Sequence, residues 1–173
     1  MSLDFINKKF FSNNLNLIYF LFFIFLSRLL PHPPNFTPII SIAILCPIFF
    51  KKDFVSLSVV ILGMFVTDIF LGFYSLMSAT YISLIIIFYF NKLFIKNINF
   101  KNLILSCFLS SLIFFIITNF SVWLLGNLYT KNVDGLINCF FMAIPFFHNT
   151  LISTLLFSSL TFFGYVEFKK LRT

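Results

Sequence analysis

Apolar stretches about as long as a membrane-crossing helix, separated by short polar breaks, fill most of the chain. Residues 12–30, 37–50, 53–73, 76–95, 102–126 and 148–168 each read as one apolar segment. Continuous apolar runs of ~20 residues mark helices that cross a bilayer. The breaks between them carry turn chemistry: Pro31-His32-Pro33-Pro34 after the first segment, Lys51-Lys52 after the second, and Gly72 to Ser75 after the third. Thr37 reads as the N-cap of the second segment, with Pro38 at its first helical position. Residues 136–147 are apolar and contain Pro145. At ~1.5 Å per residue they are too short to cross a ~30 Å core, so they read as a lid lying over the outer end of the bundle. Lys8 and Lys9 precede the first segment as in a signal peptide, but no small-residue cleavage site follows it, which predicts an uncleaved first span. The pattern predicts an all-α integral membrane bundle of six transmembrane helices, with residues 1–173 as a single transmembrane domain.

Composition agrees and removes the main alternatives. Hydrophobic residues make up 60% of the chain and charged residues 10%, against about 25% charged in an ordinary soluble domain. So few charges cannot cover a surface that faces water. The 30 Phe residues exclude a disordered chain. Cys46, Cys107 and Cys139 form no CxxC pair, and two His cannot complete a zinc site with them, so no metal or cofactor is expected. No GxSxG elbow, HExxH or phosphate loop is present, which predicts a protein that is not an enzyme.

The net charge of +7 reads as membrane orientation, not as a nucleic-acid surface. With six spans and both termini cytoplasmic, ten cations fall inside (Lys8, Lys9, Lys51, Lys52, Lys92, Lys96, Lys101, Lys169, Lys170 and Arg172), leaving only Arg28 and Lys131 outside. The second segment covers about 21 Å, short enough to be re-entrant. Omitting it as a span either reverses the charge split or puts Lys8 and Lys9 on the wrong side, so it is counted as a span.

In this topology the polar and ionisable residues gather toward the outer side: Arg28, His32, Asn35, Asp68, Asn119, Trp123, His148 and Asn149. Asp68 is the acid inside a span. It reads either as a solute contact or as the partner of Arg28 in an ion pair that locks two helices. Asn119 and Trp123, four apart, share a helix face. Thr150, Thr154, Ser158 and Thr161 form a stripe of small hydroxyl residues, and Ser106, Cys107, Ser110 and Ser111 form another, as close helix packing requires.

Four motifs carry a resemblance: Arg28-Leu-Leu-Pro-His-Pro-Pro-Asn-Phe-Thr-Pro38, Phe65-Val-Thr-Asp-Ile-Phe-Leu-Gly-Phe73, Thr118-Asn-Phe-Ser-Val-Trp123 and Ala143-Ile-Pro-Phe-Phe-His-Asn-Thr150. Together they resemble a small uncharacterised family of bacterial inner-membrane proteins with a PHPPNFTP motif, itself similar to the substrate-binding S components of energy-coupling factor (ECF) transporters. The resemblance implies a protein of the cell inner (plasma) membrane that binds or transports a small organic, vitamin-like solute near its outer face. Arg28, His32, Asn35, Asp68, Asn119, Trp123, His148 and Asn149 would then be the binding residues. It also implies partners: the lipid bilayer, the small-molecule solute, and a membrane coupling subunit with ATPases. A structural membrane scaffold similar to a rod-shape-determining inner-membrane protein is the competing reading. A pocket lined by Asp68 and Asn119 would favour the solute, and a filled bundle the scaffold.

Overall fold

A computed structural model describes residues 14–50, 52–95 and 99–170, with side chains described for 21–48, 50, 52–95 and 99–164. Six helices follow one another: α1 (Asn14–Leu29), α2 (Ile39–Phe49), α3 (Asp53–Leu71), α4 (Met77–Phe94), α5 (Phe100–Leu125) and α6 (Val133–Lys170). No strand forms among the described residues. α3, α4, α5 and residues 133–164 of α6 are long and apolar enough to cross a membrane.

The bundle buries polar side chains and exposes apolar ones. Ser56, Thr67, Asp68, Ser83, Asn91, Ser106, Ser110 and Ser111 are buried, while Phe65, Phe70, Ile86, Leu105 and Leu160 face outward. An apolar exterior around hydroxyl-rich helix contacts is the arrangement expected in lipid, where small polar residues let helices approach closely.

α2 is the axis of the fold. Every residue from Ile39 to Cys46 is buried, and α3, α4, α5 and α6 all pack against it. A helix enclosed by protein need not match the bilayer thickness, which is why 11 residues suffice. Its start differs from the sequence expectation. Thr37 makes no capping bond, Pro38 stands at the cap position, and Ile42 N–H bonds Pro38 O at 2.9 Å. α1 packs mainly on α3, where Gly63 leaves room for Ile24: a Cβ at Gly63 would come within 2.6 Å of Ile24 Cδ1.

The turn between α3 and α4 is made by Gly72, whose φ of 92° favours glycine and whose N–H closes α3 on Asp68 O at 2.9 Å. Lys92 pairs with Asp53, so the start of α3 and the end of α4 lie at one end of the bundle. Asn99 caps α5 through Asn102 N at 2.8 Å, and Asn132 caps α6 through Gly135 N at 2.8 Å. Lys131 Nζ bonds the last carbonyls of α5, at Trp123 and Gly126.

The last helix corrects the sequence reading. Residues 136–147 are no lid; they belong to α6, which begins at Val133 and not at 148. Proline removes one helical N–H, and that cost is offset here by packing on α5. Phe115 lies between Phe140 and Phe147, with ring centroids at 5.4 and 5.1 Å. Cys139 and Ala143 are buried on the same face, and Cys139 Sγ reaches Asn119 O at 3.4 Å. Farther along, Phe100 meets Phe162 at 6.0 Å. α5 is therefore paired with α6 along its whole length.

A polar cavity over a buried ion pair

A cavity of about 290 Å³ opens where α1, the Pro-rich loop, α2, α3 and α4 converge. Arg28, His32, Asn35, Thr37, Tyr74 and Thr80 give it polar walls, and Ile39, Met64, Leu71 and Phe114 its apolar ones. Larger cavities of about 580 and 390 Å³ are grooves lined mainly by outward-facing apolar side chains, beside α5 and α6 and beside α1 and α3. They suit acyl chains better than a polar solute.

Arg28 reaches the cavity from the last turn of α1. Its Nη1 lies 2.8 Å from Asp68 Oδ1, donates to Met64 O at 3.2 Å, and bonds Thr67 Oγ1. Thr67 Oγ1 in turn donates to Met64 O at 2.7 Å. Tyr81 Oη donates to Asp68 Oδ2 at 2.7 Å. Asp68 is fully enclosed, and the Arg28 side chain is 13% exposed. The carboxylate thus holds the guanidinium and does not itself face the cavity. Tyr74 lies outside the helices, beside Gly72. Burial, the main cause, raises its hydroxyl above the ordinary phenol range, and a hydrogen bond to Thr80 works the other way. It stays a neutral phenol at the cavity wall.

Of the residues expected at the site, the cavity gathers Arg28, His32 and Asn35, with Asp68 directly behind Arg28. Asn35 adopts φ 63°, and its carbonyl accepts from Ser153 Oγ at 3.4 Å. Asn149 Nδ2 donates to Pro34 O at 3.1 Å. Asn149 and Ser153 on α6 therefore hold the Pro-rich loop in place. His32 Nδ1 stays within its own loop, 2.8 Å from Pro33 O. The other three expected residues do not line the cavity. Asn119 bonds its own helix at Phe115 O. Trp123 Nε1 donates to Thr130 O at 2.9 Å, with Lys131 Nζ 6.0 Å from its ring centroid. His148 is exposed, its Nδ1 3.1 Å from Ile144 O.

Tyr74, Thr80 and Tyr81 were not expected. Their sequence signal was the hairpin itself: Asp68 lies three residues before the end of α3 and Tyr81 four after the start of α4, so the two helices bring them close to level. Among the described residues, no group of three or more His, Cys, Asp or Glu side chains could hold a metal ion.

No match is found among curated proteins or among solved structures. A family of unknown function (DUF6580) matches residues 8–173. That match covers nearly the whole chain, which therefore belongs to DUF6580.

Proposed function

We propose that the protein is a multi-pass inner-membrane protein of six spans, with both termini in the cytoplasm, that binds a small organic solute from the outer side. The observation that carries this reading is the cavity at Arg28: polar walls from two loops and two helices, built over a buried ion pair. A charge inside a span is costly and marks function by default. Here the cost supports a guanidinium at a cavity wall. The motif resemblance to S components of ECF transporters points the same way, with a coupling subunit as partner. The test is the small-molecule content of the purified protein, read by mass spectrometry. Wild type should release one compound, and Thr80→Trp, which fills the cavity, should fold with the same melting temperature and release none.

A scaffold is the second reading. It is favoured by the enclosure of Asp68 and by the filled core around α2, since Asp68 and Asn119 do not line the cavity. Absence of a released compound from wild type would decide for it.

The proposed orientation has its own test. Lys131 is exposed at the α5–α6 turn, and Lys96 lies outside the described residues. Cysteine placed singly at each position, after replacement of Cys46, Cys107 and Cys139, should react with an impermeant maleimide in whole cells at 131. Position 96 should react only after lysis. The opposite pattern refutes six spans with cytoplasmic ends.

A further inference from the structure

Arg28 is anchored on one edge only. Nη1 serves Asp68, Met64 and Thr67, whereas Nε and Nη2 have no partner among the described residues. The side chain nevertheless forms part of the cavity wall. Nε–H and one Nη2–H of a guanidinium run parallel and make the fork that grips two oxygens of a carboxylate. That fork is left for whatever fills the cavity.

A second feature of the same wall points to negative charge. α2 begins there, with Thr37 and Ile39 lining the cavity. It has no side-chain cap, and the N–H groups of Ile39, Ile40 and Ser41 have no partner among the described residues. These residues are buried. The unpaired amides at a helix start carry roughly half a positive charge. The charge of Asp68 is already answered by Arg28 and by Tyr81. The wall therefore presents a neutralised ion pair plus a partial positive charge, which suits a single negative charge better than the two of a phosphate ester.

We propose that the cavity takes a small monocarboxylate, gripped side-on by Nε and Nη2 of Arg28 beside the start of α2. This rests on the reading of the cavity as a solute site and names the class of solute. A volume of about 290 Å³, at ~30 Å³ per water-sized group, admits an acid of about ten heavy atoms.

Benzoate and benzamide have nearly the same size and shape and differ in charge, so they separate a carboxylate site from a merely polar one. Calorimetry and thermal shift on the purified wild-type protein should show benzoate binding at least about tenfold more tightly than benzamide. Arg28→Lys keeps the charge but lacks the fork, and should weaken benzoate binding and narrow that preference; an unchanged preference in Arg28→Lys would overturn the side-on grip. If Arg28→Lys does not fold, the wild-type preference decides alone. Equal or tighter binding of benzamide would overturn the carboxylate assignment and leave the solute cavity standing. Binding of neither compound overturns the assignment as well, and the solute reading falls with it only if wild type also releases no compound.

Discussion

Arg28→Gln should lower the stability of the folded protein by about 3–5 kcal/mol, because it strands a carboxylate that cannot reach water. Asp68 has no exposed side-chain surface. Without the guanidinium, its Oδ1 faces no cation and only the Tyr81 hydroxyl remains, on Oδ2. Asp68→Asn should cost less, about 1–3 kcal/mol. Arg28 keeps its bonds to Thr67 and Met64, and its partial exposure lets the unpaired charge meet cavity water. The double variant should regain much of the Arg28→Gln loss, since a neutral amide pair leaves no buried charge. Thermal and denaturant unfolding of the four proteins in one detergent measures the cycle. Losses that simply add would mean that the two residues are not coupled. The pair also ties α1, which packs mainly on α3, to the rest of the bundle. Arg28→Gln should therefore increase proteolysis near the α1–α2 loop.

Local signals located α3 and α4 to within two residues, because Lys52, Gly72 and Ser75 interrupt an otherwise apolar chain. They failed where packing overrides them. Pro145 reads as a break, yet the grip of Phe140 and Phe147 on Phe115 carries α6 through it. Thr37-Pro38 reads as a capped start, yet the cap is absent and Thr37 faces the cavity. At the site, Arg28 and Asp68 stood out because charges within spans are rare. Tyr74 and Tyr81 did not stand out in a chain that is 21% aromatic. Asn119 and Trp123 do share a helix, but that helix continues past the cavity. Phe114 is the α5 residue at the wall; Asn119 and Trp123 lie about 7.5 and 13.5 Å farther along α5 at ~1.5 Å per residue. The period of the helix shows which residues share a face, and only the tertiary arrangement shows how far along that face the site lies.

The same distinction applies to Asn91, an unremarkable residue in the sequence that organises the contact between α4 and α5. It is completely buried. Its Nδ2 donates to Ile87 O and to Ser110 Oγ, each at 2.8 Å, and its Oδ1 accepts from Ser106 Oγ. Asn91→Leu keeps the volume and removes every polar partner, leaving both serine hydroxyls to turn back to carbonyls of their own helix. That replacement should cost about 1–3 kcal/mol, and adding Ser106→Ala and Ser110→Ala should restore part of it by removing the groups left unpaired. Asn91→Asp should cost more, about 3 kcal/mol. A carboxylate can accept from both serines, but it cannot donate to Ile87 O and would place a negative charge against that carbonyl. Unfolding measured for the wild type, the two single variants and the triple variant gives the order. An Asn91→Leu protein as stable as wild type would mean that the network contributes nothing to the α4–α5 contact, and that close packing through Ser106 and Ser110 holds it alone.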